Sequence, residues 1–255
     1  MHLESHSNVF GRTLNPFNRN LSPGGSSGGE GAIVTFRGAP IGLATDAEGS
    51  IRCPTANCGL FGMKASGYRI PLSGCRHVML GMESYTASVG PVCRTIRDNE
   101  HFFKVVLETE PWRLSPELVP VPWRERKAPK KITIGYFVDD GVVRPHPPLL
   151  SAMDNLISKL RKLPNMELVE WEPFQHHKGY DIMRKLYFQD GGKQNRDLIA
   201  SAEEPMLPLS EWVMKEPHTR PLTLQESWDR VAKRDSFRGE NAKMKAALHV
   251  FTNMV

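Results

Sequence analysis

The chain has 255 residues, of which 40% are hydrophobic and 24% charged, with a formal net charge of +5. That is ordinary for a globular protein with room for one large domain or two small ones. Its basic residues are dispersed, apart from Arg124, Arg126, Lys127, Lys130 and Lys131, which alternate with prolines as a solvated linker, so no nucleic-acid partner is expected.

Residues 1–30 are polar, with turn chemistry at Asn15-Pro16 and Ser22-Pro23-Gly24 and no apolar segment of the signal-peptide kind. The run Ala32-Ile33-Val34-Thr35-Phe36 reads as a strand on β-propensity alone. Ile41-Gly42-Leu43-Ala44-Thr45 reads as a buried strand, and 60–64 as a packed element. Residues 96–107 carry a helical stripe of Ile96, Phe103, Val106 and Leu107, widened by Phe102, with Asp98 and Glu100 in the first turn. Residues 111–131 hold Pro111, Pro116, Pro120, Pro122 and Pro129 and read as a surface connector.

A strand–helix–strand unit follows. Residues 132–137 form a strand, Pro147 and Pro148 open a helix through Leu160, and 166–171 form the next strand. Such a crossover implies parallel strands and an α/β sheet. After Phe174 the pattern is mostly helical, broken at Asp190-Gly191-Gly192. The pair His176-His177 reads as solvated, because adjacent side chains diverge on helix and strand alike, and no metal is expected. Cys53, Cys58, Cys75 and Cys93 form no CxxC pair and read as free thiols in a reducing, cytoplasmic setting; no run is long enough to span a membrane.

Two glycine-rich serine sites carry the chemistry: Ser22-Pro23-Gly24-Gly25-Ser26-Ser27-Gly28-Gly29-Glu30 and Thr45-Asp46-Ala47-Glu48-Gly49-Ser50-Ile51-Arg52. Glycines let a backbone adopt strained dihedrals and bring its N–H groups near a reacting atom. With Cys58-Gly59-Leu60-Phe61-Gly62-Met63-Lys64 behind them, these segments resemble the amidase signature family, nearest its fungal acetamidase-type and fatty-acid amide hydrolase-type members. Further matching segments are 10–16, 90–94 and 188–192.

The resemblance implies an α/β fold with a twisted mixed sheet flanked by helices on both faces, and at Ala32-Ile33-Val34-Thr35-Phe36 the start of a helix directly after the glycine-rich turn, where β-propensity alone favours a strand. It implies hydrolysis of a small-molecule carboxylic amide without metal or organic cofactor. In the family a Ser–cis-Ser–Lys triad acts. Ser50 matches the nucleophile that becomes acylated and Ser26 the bridging serine, with Gly25–Ser26 the cis peptide. The backbone N–H groups of Ala47, Glu48, Gly49 and Ser50 match the oxyanion hole. Asp46 and Arg52 match the residues bracing the nucleophile turn, and Ser27 supports the bridge. The whole chain, 1–255, then reads as a partial amidase domain. It has a signature core over 1–110, the connector 111–131, and a strand–helix–strand and helical part over 132–255.

Two departures stand out. Glu48 occupies a position where the family carries a small residue, which raises the prospect of backbone strain and of a carboxylate near the developing oxyanion. The family's catalytic lysine lies upstream of the first serine, and no lysine precedes Lys64 here. Lys64 matches a lysine that is not catalytic in the family, and His2 and His6 read as surface residues. The chain therefore reads as truncated at both ends, with a non-catalytic binding module as the alternative to an enzyme.

Overall fold

The structure is a computed structural model that describes residues 2–79, 81–127, 129–215 and 219–247, with residues 245–247 described by their backbone alone. In chain order its elements are β1 (His6–Ser7), β2 (Gly11–Arg12), α1 (Gly28–Thr35), β3 (Ile41–Asp46), α2 (Arg52–Asn57), β4 (Phe61–Gly62), β5 (Ser88–Cys93), α3 (Ile96–Glu108), β6 (Ile132–Tyr136), α4 (Pro147–Leu160), β7 (Met166–Glu170), α5 (His176–Tyr187), α6 (Lys193–Ser201), α7 (Pro208–Met214) and α8 (Leu224–Ala247). Two compact units result. One comprises the described residues up to Arg124 together with those of Asp190–Thr219; the other comprises Glu125–Gln189 and the described residues from Arg220 onward.

The first unit is built on an antiparallel sheet of order β3-β5-β4. The central strand β5 is buried along its whole length, although its Gly90-Pro91 pair gives no strand signal in the sequence. β3 is a strand as expected, but only half of it is buried. Gly42, Ala44 and Asp46 face inward, whereas Ile41 and Leu43 are 39% and 59% exposed. The inward face takes small residues because α1 lies against it: a Cβ at position 42 would sit 2.5 Å from Glu30 Oε2 and 3.3 Å from Val34. Residues 28–35 form helix α1, as the family resemblance implies and against the strand that β-propensity favours, and Val34 is buried with Ala44, Ile51 and Val92. This tertiary cluster overrides the local preference.

A second cluster joins Ala65, Ile70, Val89, Phe103 and Leu107. Phe103 and Leu107 come from α3, whose cap Thr95 accepts the N–H of Asp98 at 3.1 Å. Ile96 of the same stripe points outward. The proline-rich segment is more than a surface connector. Leu118 and Ser115 are buried, and Trp112 and Trp123 pack on this cluster.

In the second unit β6 and β7 pair in parallel, joined through α4 as the sequence predicts. His176, expected to be solvated, is half-buried. Its Nδ1 lies 3.2 Å from Asp140 Oδ2 and its ring meets Phe137 edge-on at 5.5 Å. Among the described residues no helix is long and apolar enough to cross a membrane, and the four cysteines are unpaired.

Candidate active site

Both serine turns lie in the first unit. The turn carrying Ser50 runs from the end of β3 at Asp46 to the start of α2 at Arg52. Asp46, fully buried, organises it. Its carboxylate accepts N–H bonds from Gly49 at 2.7 Å, Ile51 at 3.1 Å and Arg52 at 3.3 Å. The Arg52 guanidinium adds two more, from Nε to Oδ2 and from Nη2 to Oδ1, each 3.0 Å. Burial alone would raise the pKa of Asp46. The hydrogen bond and charge of Arg52, with the N–H groups of Ile51 and Gly49, outweigh it and leave the pKa lowered. Arg52, in turn, is held more firmly charged by Asp46 against its own desolvation. Ile51, with no exposed surface, pins the turn into the core.

The backbone strain expected at Glu48 is not found there; the unusual dihedral of this turn falls on the neighbouring glycine. Gly49 has φ +139°, a region that side chains rarely adopt, whereas Glu48 is not at positive φ. Glu48 instead lies exposed, and its charge is felt by the half-buried Tyr85. Burial, then Glu48, then Asp190 push the Tyr85 phenol up. Gly49, expected among the oxyanion-hole donors, directs its N–H to Asp46. Among the described residues the N–H groups of Ala47 and Ser50 have no hydrogen-bond acceptor.

The turn carrying Ser26 precedes α1. The Gly25–Ser26 peptide is cis. Gly25 is required by close approach: a Cβ there would collide with the Glu4 carbonyl. Ser22 Oγ accepts the Gly24 N–H at 2.9 Å and bonds Glu4. Ser5 Oγ lies 3.1 Å from the carbonyl oxygens of both Gly24 and Ser26 and accepts the Gly28 N–H at 2.9 Å. The N-terminal segment thus clamps the glycine-rich turn, a role carried by small polar residues with no sequence signature.

The two turns meet through their backbones. Ser27 N–H donates to the Ser50 carbonyl at 3.2 Å, and Ser27 Oγ lies 3.4 Å from the Thr45 carbonyl. Among the described residues the Ser26 and Ser50 hydroxyls have no hydrogen-bond partner. Ser26 is exposed and Ser50 half-buried.

Ser26 borders two cavities. One, about 430 Å³, is lined by Ser27, Thr45, Val89 and the exposed thiol of Cys75. The other, about 530 Å³, is lined by Glu4, Ser5, His2 and Ser210. His2 is thus half-buried rather than a surface residue. Its Nε2 lies 3.3 Å from Ser210 Oγ, its Nδ1 has no partner, and burial lowers its pKa. Neither His2–Ser210 nor Cys75–Ser26 was legible in the sequence, since each joins residues distant along the chain. Lys64 is half-buried, and desolvation lowers its pKa while the Asp46 charge opposes that shift. Among the described residues no His, Cys, Asp and Glu group has the makings of a metal site.

Comparison with known proteins matches residues 1–251 to the family model described as Amidase. A Schizosaccharomyces pombe protein named as an amidase is 42% identical over 243 residues, covering 95% of this chain and 46% of its own length. An acetamidase of Aspergillus oryzae is 38% identical over 234 residues, covering 89% and 43%. The solved structure of a fatty acid amide hydrolase superposes with a TM-score of 0.93 at 34% identity, covering 98% of this chain and 44% of that one. The chain therefore spans about half the length of the relatives it matches.

Proposed function

The chain belongs to the amidase family and has its α/β fold, and from that premise we propose that it carries the serine machinery of an enzyme hydrolysing carboxylic amides. The observation that carries this reading is the backbone bond from Ser27 to Ser50, which ties the cis Gly25–Ser26 turn to the Asp46–Arg52 turn. A non-catalytic binding module has no need of two glycine-rich serine turns held together in this way.

In the proposed reaction Ser50 Oγ attacks the amide carbonyl carbon and passes its proton to Ser26 Oγ, whose own proton moves on to a base. The tetrahedral oxyanion is received by N–H groups of the turn, with Ala47 and Ser50 as donors and Glu48 beside them; Gly49 serves Asp46 instead. Collapse expels the protonated amine or ammonia and leaves acyl-Ser50, which water hydrolyses. Asp46 and Arg52 position the turn, and Ser27 joins the two serines. The amide is a small molecule and no cofactor takes part. The unpaired cysteines support a cytoplasmic setting.

The family resemblance assigns the base to a lysine upstream of the first serine, and no lysine precedes Lys64 in this sequence. Serine turns acting without that lysine would retain roughly 10³–10⁴-fold over water from oxyanion donors and positioning, by analogy with crippled serine proteases. The test is turnover of acetamide and of aryl amides by the chain, with and without millimolar alkylamine as a diffusible base. Slow turnover that the amine raises, and that Ser50→Ala abolishes, is the expected result. Turnover equal in the parent and Ser50→Ala rules the reading out.

A further inference from the structure

The second unit contains a cationic groove unrelated to the serine turns. It lies between α5 and α8, has a volume of about 510 Å³, and is lined by Lys178, Asp181 and Lys185 of α5 and by Arg230, Lys233 and Phe237 of α8. Two of the four cations are matched. Lys178 Nζ is 3.3 Å from Glu240, and Lys185 Nζ is 2.5 Å from Asp181. Arg230 is half-buried and anchored by donating to the Lys185 carbonyl, and among the described residues neither Arg230 nor Lys233 is ion-paired.

Burial, followed by the Arg220 charge, works against the charged form of Arg230; the Glu226 and Asp181 carboxylates favour it but form no ion pair with it among the described residues, and its pKa stays lowered. An anion entering the groove relieves that cost. The guanidinium fork suits phosphate oxygens, and two unmatched cations suit a dianion. Phe237, stacked on Phe174 with centroids 6.0 Å apart, gives the groove an apolar wall beside the charges.

We propose that this groove binds a small phosphate monoester, its dianionic group between Arg230 and Lys233 and its organic part toward Phe237.

Calorimetric titration of the chain with phenyl phosphate and with inorganic phosphate, in low salt, tests this. Saturable binding is expected, tighter for phenyl phosphate than for inorganic phosphate. Lys233→Glu reverses an exposed, unpaired charge without touching the core. It should weaken binding about tenfold or more while leaving the melting temperature unchanged. Arg230→Gln, which keeps a donor for the Lys185 carbonyl, should weaken it similarly. No saturable binding, equal affinity for the two anions, or affinity unchanged in Lys233→Glu would each overturn the proposal.

Discussion

The N–H of Ser27 donates to the carbonyl oxygen of Ser50 at 3.2 Å. This bond sets the distance between two turns that come from different elements, one before α1 and one between β3 and α2. Small changes at either turn are therefore expected to act on both.

Asp46 and Arg52 give the turn its pH dependence. Arg52→Ala removes a guanidinium that is 54% exposed at its side chain, so its contribution is screened, and a loss of about 1–2 kcal/mol is expected. Asp46→Ala is worse, of order 3 kcal/mol, because three backbone N–H groups lose their acceptor. Since the folded pKa of Asp46 is lowered, its stabilisation is present above the ordinary carboxylate range and lost as pH falls through the lowered value. Arg52→Ala should therefore move acid unfolding to higher pH. Chemical denaturation across an acid series measures both effects.

Three glycines of the site should respond differently to alanine. Gly25→Ala forces the Glu4 backbone aside and should prevent correct folding of the turn. Gly49→Ala places a side chain at φ +139° and should cost about 1–3 kcal/mol. Gly29 lies in the first turn of α1, where an added methyl group would meet nothing within 4 Å and φ is not positive. Gly29→Ala should be neutral or stabilise by up to about 1 kcal/mol. Thermal melts of the three variants rank them.

Cys75 should be the thiol that reports on the Ser26 cavity. It is exposed and shares that cavity with Ser26 and Ser27. Cys58 and Cys93 are buried; burial pushes the Cys58 thiol up, and burial with the Asp98 charge pushes Cys93 up to about 11. A bulky maleimide at neutral pH is expected to modify Cys75 and spare Cys58 and Cys93, and to slow acylation of Ser50. Peptide mass mapping reads the first outcome and ester kinetics the second. Labelling of Cys93 ahead of Cys75 would contradict it.

The candidate site was legible in the sequence where its parts are contiguous. The turns around Ser26 and Ser50 owe their shape to neighbouring glycines, and the Asp46–Arg52 brace spans a single turn. The strand–helix–strand of β6, α4 and β7 announces itself by periodicity and by Pro147-Pro148. Contacts made by chain reversal left no such trace. Ser5 clamps the Ser26 turn, His2 meets Ser210, and Cys75 reaches the Ser26 cavity, each through tertiary placement. β3 misleads for a related reason: its large residues face outward because α1 leaves room only for Gly42 and Ala44 beneath it. Helix α1 likewise reflects packing of Val34 against Ile51 and Val92, not the β-propensity of its residues.

In the proposed reaction Ser50 is the residue that becomes acylated. Incubation of the chain with p-nitrophenyl acetate, whose activated leaving group lessens the need for a base, followed by peptide mass mapping, tests it most directly. Acetyl on Ser50, faster with added alkylamine and absent in Ser50→Ala, is the expected result. Acetyl on Ser26 with Ser50 unmodified, or equal nitrophenol release by the parent and Ser50→Ala, would contradict it.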